Sequence, residues 1–218
     1  MITLYGFGRV HKKVIGETRD LRVEWALQET GLPYRVQPLD HTGGELDGDA
    51  YSRISPFHQI PVIDDNGFVV AESAAILLYL AEKAGKLIPD DVAGRTHVTQ
   101  WCFAALATVE LPLAEIFMID NFGISDSERH RAFLDQWAGR VLGNLERRLD
   151  GRTWIACADF TVADILLAAV LREIRKTDLI EPYPRLKAYY ARALARPAWQ
   201  RTMAAYAQRL GVEVADIV

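Results

Sequence analysis

The first part of the chain has two short apolar runs separated by a segment of helical periodicity. The runs at Ile2–Phe7 and Tyr34–Pro38 have the pattern of strands. Between them, Arg19–Glu29 places apolar residues at the spacing of one helix face, and the helix pattern breaks at Gly31–Pro33. The pattern therefore predicts a β-α-β unit.

A second group of elements follows after a polar stretch. The apolar runs Val62–Asp64 and Phe68–Ala71 flank Asp65–Gly67, and an Asn-Gly pair between such runs is typical of a tight hairpin. A helix over Ser73–Lys83 follows directly. The order β-α-β then β-β-α predicts a small mixed sheet with helices packed on it.

The remainder of the chain reads as helices only. After Gly85 the strand patterns stop, and from Gly94 onward each long segment repeats apolar residues at helical spacing. Ser125 and Glu128 have capping-box spacing, which predicts a helix that starts there and ends at Asp150. We therefore expect an α/β domain over 1–84, a linker over 85–93 and an all-α helical bundle over 94–218.

Composition narrows the possible partners and location. The 218 residues carry a net charge of -4, so no general basic surface is available for nucleic acid or an anionic membrane. The N-terminus lacks the features of a signal peptide, and we expect no apolar stretch to approach the length of a membrane span. These features predict a cytoplasmic protein with no nucleic-acid or membrane partner.

The cysteine content excludes several chemistries. Cys102 and Cys157 are the two cysteines of the sequence, and they lack the paired spacing of a redox motif or a zinc site. We therefore expect neither a metal site nor a CxxC redox centre.

Six stretches of the sequence form one recognisable pattern: Arg22–Leu27, Gly31–Tyr34, Ser55–Ile63, Asp65–Gly67, Glu72–Ile76 and Phe160–Ile165. Together they resemble the cytosolic glutathione S-transferase superfamily. The resemblance implies a thioredoxin-like N-terminal domain, a C-terminal helical bundle of that family's type, glutathione as cosubstrate and a homodimer that acts in detoxification. It also implies that Thr161 and Asp164 form a buried capping box.

The glutathione-binding residues implied by this resemblance lie on either side of the hairpin. Pro61 would be cis, and the backbone of Ile60 would then pair with the cysteinyl part of glutathione as a strand does. Ser73 can cap the helix that starts there, whose free N–H groups suit a carboxylate, while Glu72 would take the ammonium group of the γ-glutamyl end. Gln59 is a further candidate contact, although an exposed loop glutamine is the default interpretation.

The residue that activates the glutathione thiol is harder to place, because the connection Gly8–Thr18 is longer than the family's usual one. Counting back from Arg22 puts Thr18 near the serine of the serine-type classes, and its hydroxyl can donate to a thiolate. Thr18 is equally suited to cap the helix that follows. Tyr5, near the end of the first strand, is the competing candidate. With no cysteine before Cys102, the cysteine-type classes are disfavoured.

The second substrate of such an enzyme would be a small hydrophobic electrophile. The resemblance places its pocket on the first helices of the second domain, where Trp101, Phe103 and Thr108 are candidates. Large apolar residues at helical spacing are more often bundle core, so both interpretations stay open. The alternatives in function are a glutathione-dependent peroxidase or disulfide reductase, or a non-catalytic glutathione-binding protein of the same fold.

Overall fold

The computed structural model describes residues 1–217 as an α/β part and a helical part. The elements follow the predicted order, with boundaries shifted by one to two residues at most strand and helix ends. The strands are β1 Ile2–Arg9, β2 Tyr34–Asp40, β3 Val62–Asp65 and β4 Phe68–Ala71; the helices are α1 Asp20–Thr30, α2 Asp49–Ser52, α3 Ser73–Ala84, α4 Val92–Ala104, α5 Glu110–Phe122, α6 Glu128–Arg148, α7 Val162–Leu171, α8 Pro184–Leu194 and α9 Pro197–Leu210.

The four strands form one mixed sheet in the order β2-β1-β3-β4. β1 and β2 are parallel, as a β-α-β crossover requires, whereas β3 is antiparallel to both β1 and β4. The hairpin between β3 and β4 turns at Asn66–Gly67, where both residues have positive φ. The predicted mixed sheet is confirmed.

The chain divides into two compact units that do not follow the predicted boundary at the C-terminal end. The first unit joins residues 1–86 to residues 196–218, and the second covers residues 87–195. Helix α9 belongs to the first unit because its Trp199 ring lies against Trp25 of α1 at 4.7 Å between centroids. Arg196 also forms a two-pronged ion pair with Glu29. The last helix is therefore part of the α/β unit.

The second unit contains the helices α4 to α8 and corrects two sequence expectations. Helix α6 starts two residues later than Ser125 suggests, because Ser127 is the residue whose side chain accepts from the N–H of His130. The helical stretch Val92–Phe122 is also long and apolar enough to cross a membrane by length and composition alone. The expectation that no stretch approaches that length was wrong.

The capping box at the start of α7 is present. The Asp164 carboxylate accepts from the N–H of Thr161 at 2.9 Å and from its hydroxyl at 3.0 Å, and also from the N–H of Ile155 and the hydroxyl of Tyr189. Burial raises the pKa of Asp164, and these hydrogen bonds act in the opposite direction. The box is a folding element of the second unit.

Candidate functional site

The peptide bond before Pro61 is cis, and the loop before it is held by short-range hydrogen bonds. The Ser55 hydroxyl accepts from the N–H of Gln59 at 2.9 Å and donates to its carbonyl at 3.0 Å. The Tyr51 hydroxyl donates to the same carbonyl at 2.8 Å. The backbone of Gln59 is thus fixed, while its side chain is exposed.

Ile60 differs from Gln59 in the hydrogen bonding of its backbone. Its side chain is buried beside Leu46, Tyr51 and Val62, yet neither its N–H nor its C=O has a hydrogen-bond partner in residues 1–217. Buried backbone polar groups are almost always paired. A ligand with an extended peptide backbone could supply the missing partners.

Glu72 adopts a conformation that non-glycine residues rarely have. Its φ is 69°, in the region that costs about 1–3 kcal/mol for a residue with a side chain and that is concentrated at functional sites. It occupies the cap position of α3, but its side chain makes no capping hydrogen bond and is exposed. Ser73 is the first residue of the helix, so the prediction that Ser73 is the cap was wrong.

The sheet register brings these two groups of residues together. Val62 pairs with Ala71, so Pro61 and Glu72 lie just beyond the same end of the β3–β4 hairpin. The N–H groups of an α-helix point toward its N-terminus, and the first ones of α3 face this end without acceptors inside the helix. We call Gln59–Pro61 with Glu72 and Ser73 the hairpin site. It combines a free peptide edge, a carboxylate and a helix N-terminus.

Tyr5 lies beside the hairpin site. It pairs with Val62 across the sheet, and its ring packs edge-on against Tyr51 at 6.1 Å between centroids. Tyr5 is half-buried and belongs to the same apolar cluster as Ile60. Its hydroxyl has no hydrogen-bond partner in the described chain, so the phenol is not committed to the fold.

Thr18 has different surroundings. It is buried, and its hydroxyl shares a hydrogen bond of 2.8 Å with the hydroxyl of Tyr206 on α9. Helix α1 starts at Asp20 with Arg19 at the cap position and without a side-chain cap, so Thr18 is not the predicted N-cap. Its carbonyl instead accepts from the N–H of Leu21 at 3.2 Å.

The residues Gly8–Thr18, which we call the long loop, are held by α9. The Tyr206 hydroxyl also accepts from the N–H of Gly16 at 3.3 Å, at a positive φ that suits glycine. One helical turn further on, the Arg209 Nε donates at 2.9 Å to the carbonyl of Phe7, the residue directly before the long loop. Both ends of the long loop are therefore fixed by the last helix.

Arg209 also neutralises two buried carboxylates on α1. It contacts Asp20 at 3.0 Å and Glu24 at 2.7 Å, and both carboxylates are almost fully buried. Burial raises the pKa of Glu24, and the charge of Arg209 acts against that rise. Asp20 in turn accepts from the N–H of Phe7 at 3.0 Å. Sequence reasoning missed Tyr206 and Arg209, because no local pattern links them to a loop so far back in the chain.

The candidates for the second pocket lie in the other unit and do not share one surface there. Phe103 is exposed and lines a groove of about 410 Å³ with Val92 and Gln100, among others. Trp101 is half-buried with the Arg148 guanidinium 5.2 Å from its ring centre. Residues two apart on a helix do not face each other. Thr108 is exposed in the π-helical segment Ala105–Val109.

Neither cysteine has the lowered pKa that is typical of a reactive thiol. Burial raises the pKa of Cys102 to about 12, and burial also raises the pKa of Cys157. Within residues 1–217, no group of three or more His, Cys, Asp or Glu side chains could hold a metal ion.

Comparison with known proteins identifies two domains of one family. Residues 21–83 match the model described as glutathione S-transferase, N-terminal domain, and residues 113–206 match glutathione S-transferase, C-terminal domain. Glutathione S-transferase D7 of Anopheles gambiae is 30% identical over 164 residues, which are 73% of each chain. Glutathione S-transferase D7 of Drosophila melanogaster is 27% identical, over 83% of this chain and 82% of its own.

Solved structures agree with this match along nearly the whole chain. A glutathione transferase from Burkholderia graminis with two glutathione molecules bound per subunit has a TM-score of 0.82 at 28% identity, over 92% of this chain and 86% of its own. A family member from Pseudomonas fluorescens with two bound glutathiones has the same TM-score at 27% identity, over 92% and 91%. The chain belongs to the glutathione S-transferase family, with its N-terminal thioredoxin-like domain and its C-terminal helical domain.

Proposed function

We propose that this chain conjugates glutathione, through its thiolate, to small hydrophobic electrophiles. It is a glutathione transferase by family, and glutathione is the cosubstrate of that family. The unpaired backbone of the buried Ile60 at the hairpin site is the observation that carries the proposal for the chain's own residues. It offers one donor and one acceptor to a peptide-like ligand.

The hairpin site suits glutathione because it offers groups that match the cysteinyl residue and both charged groups of the γ-glutamyl end. The backbone of Ile60 pairs with the cysteinyl residue in an extended arrangement. The exposed carboxylate of Glu72 accepts from the ammonium group of the γ-glutamyl end, and the N–H groups at Ser73 hold its carboxylate. Gln59, whose side chain is exposed beside Ile60, adds a further polar contact.

The chemical step needs an ionised thiol. The thiol proton leaves to water, the sulfur forms a bond to the electrophilic carbon, and a leaving group departs with the electron pair of the broken bond. A hydroxyl that donates to the thiolate lowers the thiol pKa because it stabilises the charged form. We assign this hydroxyl to Thr18, as in a serine- or threonine-type enzyme, with Tyr5 as the alternative.

Reduction of a disulfide is a second activity for the same site. A related glutathione transferase from Pseudomonas putida, 26% identical with a TM-score of 0.82, has one glutathione disulfide bound per subunit. Thiolate attack on a disulfide sulfur forms a new S–S bond and releases the other sulfur as a thiolate. The same thiolate serves both reactions.

We further propose a cytoplasmic homodimer that acts in detoxification. Phe57 is a large apolar side chain with 73% of its surface exposed, which a second copy of the chain would cover. We take the helical stretch Val92–Phe122 as part of the helical unit rather than a membrane span, since the C-terminal family domain includes part of it. A light-scattering mass of one chain would contradict the dimer.

Calorimetry with glutathione tests the proposal. The wild-type protein should bind saturably, and Glu72→Gln should weaken binding about 10–100-fold, because a hydrogen bond to a charged group contributes about 1.5–3 kcal/mol. Glu82→Gln, also exposed and on α3, is the matched control and should bind as the wild type does. Turnover with a panel of electrophiles, peroxides and disulfides then identifies the reaction. Absence of saturable binding by the wild type would refute the proposal.

A further inference from the structure

Tyr206 is a fully buried tyrosine on α9, and no sequence pattern singles it out. Its hydroxyl lies 2.8 Å from the hydroxyl of Thr18 and 3.3 Å from the backbone nitrogen of Gly16. These two partners lie at the end of the long loop, just before α1. One phenol therefore fixes both the turn of the loop and the side chain of Thr18.

The hydrogens and lone pairs of the two hydroxyls determine which of them can donate to the other. Each hydroxyl has one hydrogen and two lone pairs, and either can donate to the other because hydroxyl hydrogens rotate. The N–H of Gly16 can only donate, so the Tyr206 oxygen serves as its acceptor. In the structure the Thr18 hydroxyl also donates to the Tyr206 oxygen, which leaves the phenol hydrogen without an acceptor among residues 1–217. Reversing this bond gives the phenol hydrogen to Thr18. When Tyr206 donates to Thr18, the hydrogen of Thr18 is available for a further acceptor.

The surroundings keep the phenol protonated. Asp20 on α1 and Arg209 on α9 are the charged groups that act on Tyr206, and the Arg209 guanidinium lies 5.2 Å from its ring centre. Burial, together with the negative charge of Asp20, raises the pKa of Tyr206 to about 12. At neutral pH Tyr206 therefore keeps the proton that it donates.

We propose that Tyr206 is a positioning residue for catalysis, which donates to Thr18 and so directs the Thr18 hydrogen toward the glutathione thiolate. This inference rests on the proposed function, and in particular on Thr18 as the thiol-activating residue. Hydrogen bonds in a chain polarise one another, so a donor behind Thr18 makes Thr18 a stronger donor. Tyr206 acts through Thr18 and does not touch the substrate.

The test is the pKa of the thiol of bound glutathione, followed by thiolate absorbance in protein saturated with glutathione. This property does not depend on how much of a variant is folded. Tyr206→Phe keeps the ring and should raise the thiol pKa by about 0.5–1 unit, lowering kcat at neutral pH about 3–10-fold with little change in KM for glutathione. Tyr183→Phe is the matched control, since it removes a phenol that donates to the Gly139 carbonyl at 3.1 Å.

A second pair of measurements covers the case in which Tyr206→Phe fails to fold. Fluorotyrosine incorporated into the wild-type chain makes the phenol a stronger donor and should lower the thiol pKa. In a Thr18→Ala chain the same labelling should leave the thiol pKa unchanged, which separates Tyr206 from Tyr5.

Three outcomes overturn the inference in distinguishable ways. If Tyr206→Phe titrates as the wild type while Thr18→Ala does not, Thr18 activates the thiol without help and only the inference falls. If Thr18→Ala itself titrates as the wild type, the assignment of Thr18 falls along with the inference. If the wild type binds no glutathione, the proposed function falls as well.

Discussion

The hairpin site and the long loop serve one proposed ligand but are built in opposite ways. The hairpin site is held by near neighbours in the chain: Ser55 and Tyr51 fix Gln59, and the β3–β4 register places Pro61 beside Glu72. The long loop is held at both ends by α9, through Tyr206 and Arg209.

Because of this difference, the proposed binding of glutathione and the proposed activation of its thiol depend on different parts of the chain. The groups proposed for glutathione recognition lie next to one hairpin and at one helix start, so local geometry is sufficient to assemble them. The hydroxyl proposed for thiol activation depends on a contact between Thr18 and a residue of the last helix. A change in α9 can therefore affect catalysis while the hairpin site stays intact.

The largest effect should follow from Arg209→Ala. This variant leaves the buried carboxylates of Asp20 and Glu24 without their cation, which typically costs about 3–5 kcal/mol of unfolding free energy. Urea denaturation measures the loss. The exposed Arg201, which donates to Gln28, is the control on the same helix, and Arg201→Ala should cost at most about 1 kcal/mol.

The same variant tests which region of the chain loses stability. Amide hydrogen exchange should become faster in the long loop and change little at the β3–β4 hairpin, because Arg209 contacts the loop through Phe7. Equal acceleration in both regions would contradict the view that α9 holds the loop specifically.

A smaller effect should decide between the two candidate activators. Thr18→Ala removes a donor to a charged sulfur and should raise the pKa of the bound glutathione thiol by about 1–2 units, since such a bond contributes about 1.5–3 kcal/mol. Tyr5→Phe keeps the packing against Tyr51 and should leave the thiol pKa unchanged. The reverse result would assign the role to Tyr5. Thr18→Ser keeps the hydroxyl, so the thiol pKa in this variant should equal that of the wild type.

The smallest effect concerns the support of the hairpin site. Ser55→Ala removes the acceptor of the Gln59 N–H, while Tyr51 still donates to the Gln59 carbonyl. We expect a loss of about 1 kcal/mol in unfolding free energy and a several-fold weaker affinity for glutathione. Ser52→Ala, which removes a hydroxyl bonded to the Asp49 carbonyl, should change stability by less than about 0.5 kcal/mol. Equal losses in both variants would contradict a specific role of Ser55 in supporting the hairpin site.

The elements and the fold could be predicted because their signals are local. The Asn66–Gly67 turn, the apolar runs on either side and the helix that follows depend on residues within a few positions of one another. The cis bond at Pro61, implied by the family resemblance, is confirmed. The capping residues were less predictable, since Ser125 and Ser127 lie two apart and only the helix start selects one of them.

By itself, the sequence determined the family, the mixed sheet and the helical second part, because each follows from neighbours in the chain or from a motif of fixed spacing. It also proposed the residues of the hairpin site, which stay a prediction. Only the tertiary structure decided that α9 packs with the α/β unit and that Thr18 contacts Tyr206. Such contacts join residues far apart in the chain through burial and hydrogen bonding, and no periodicity or spacing in the sequence records them. The long loop is thus defined by the last helix rather than by its own residues.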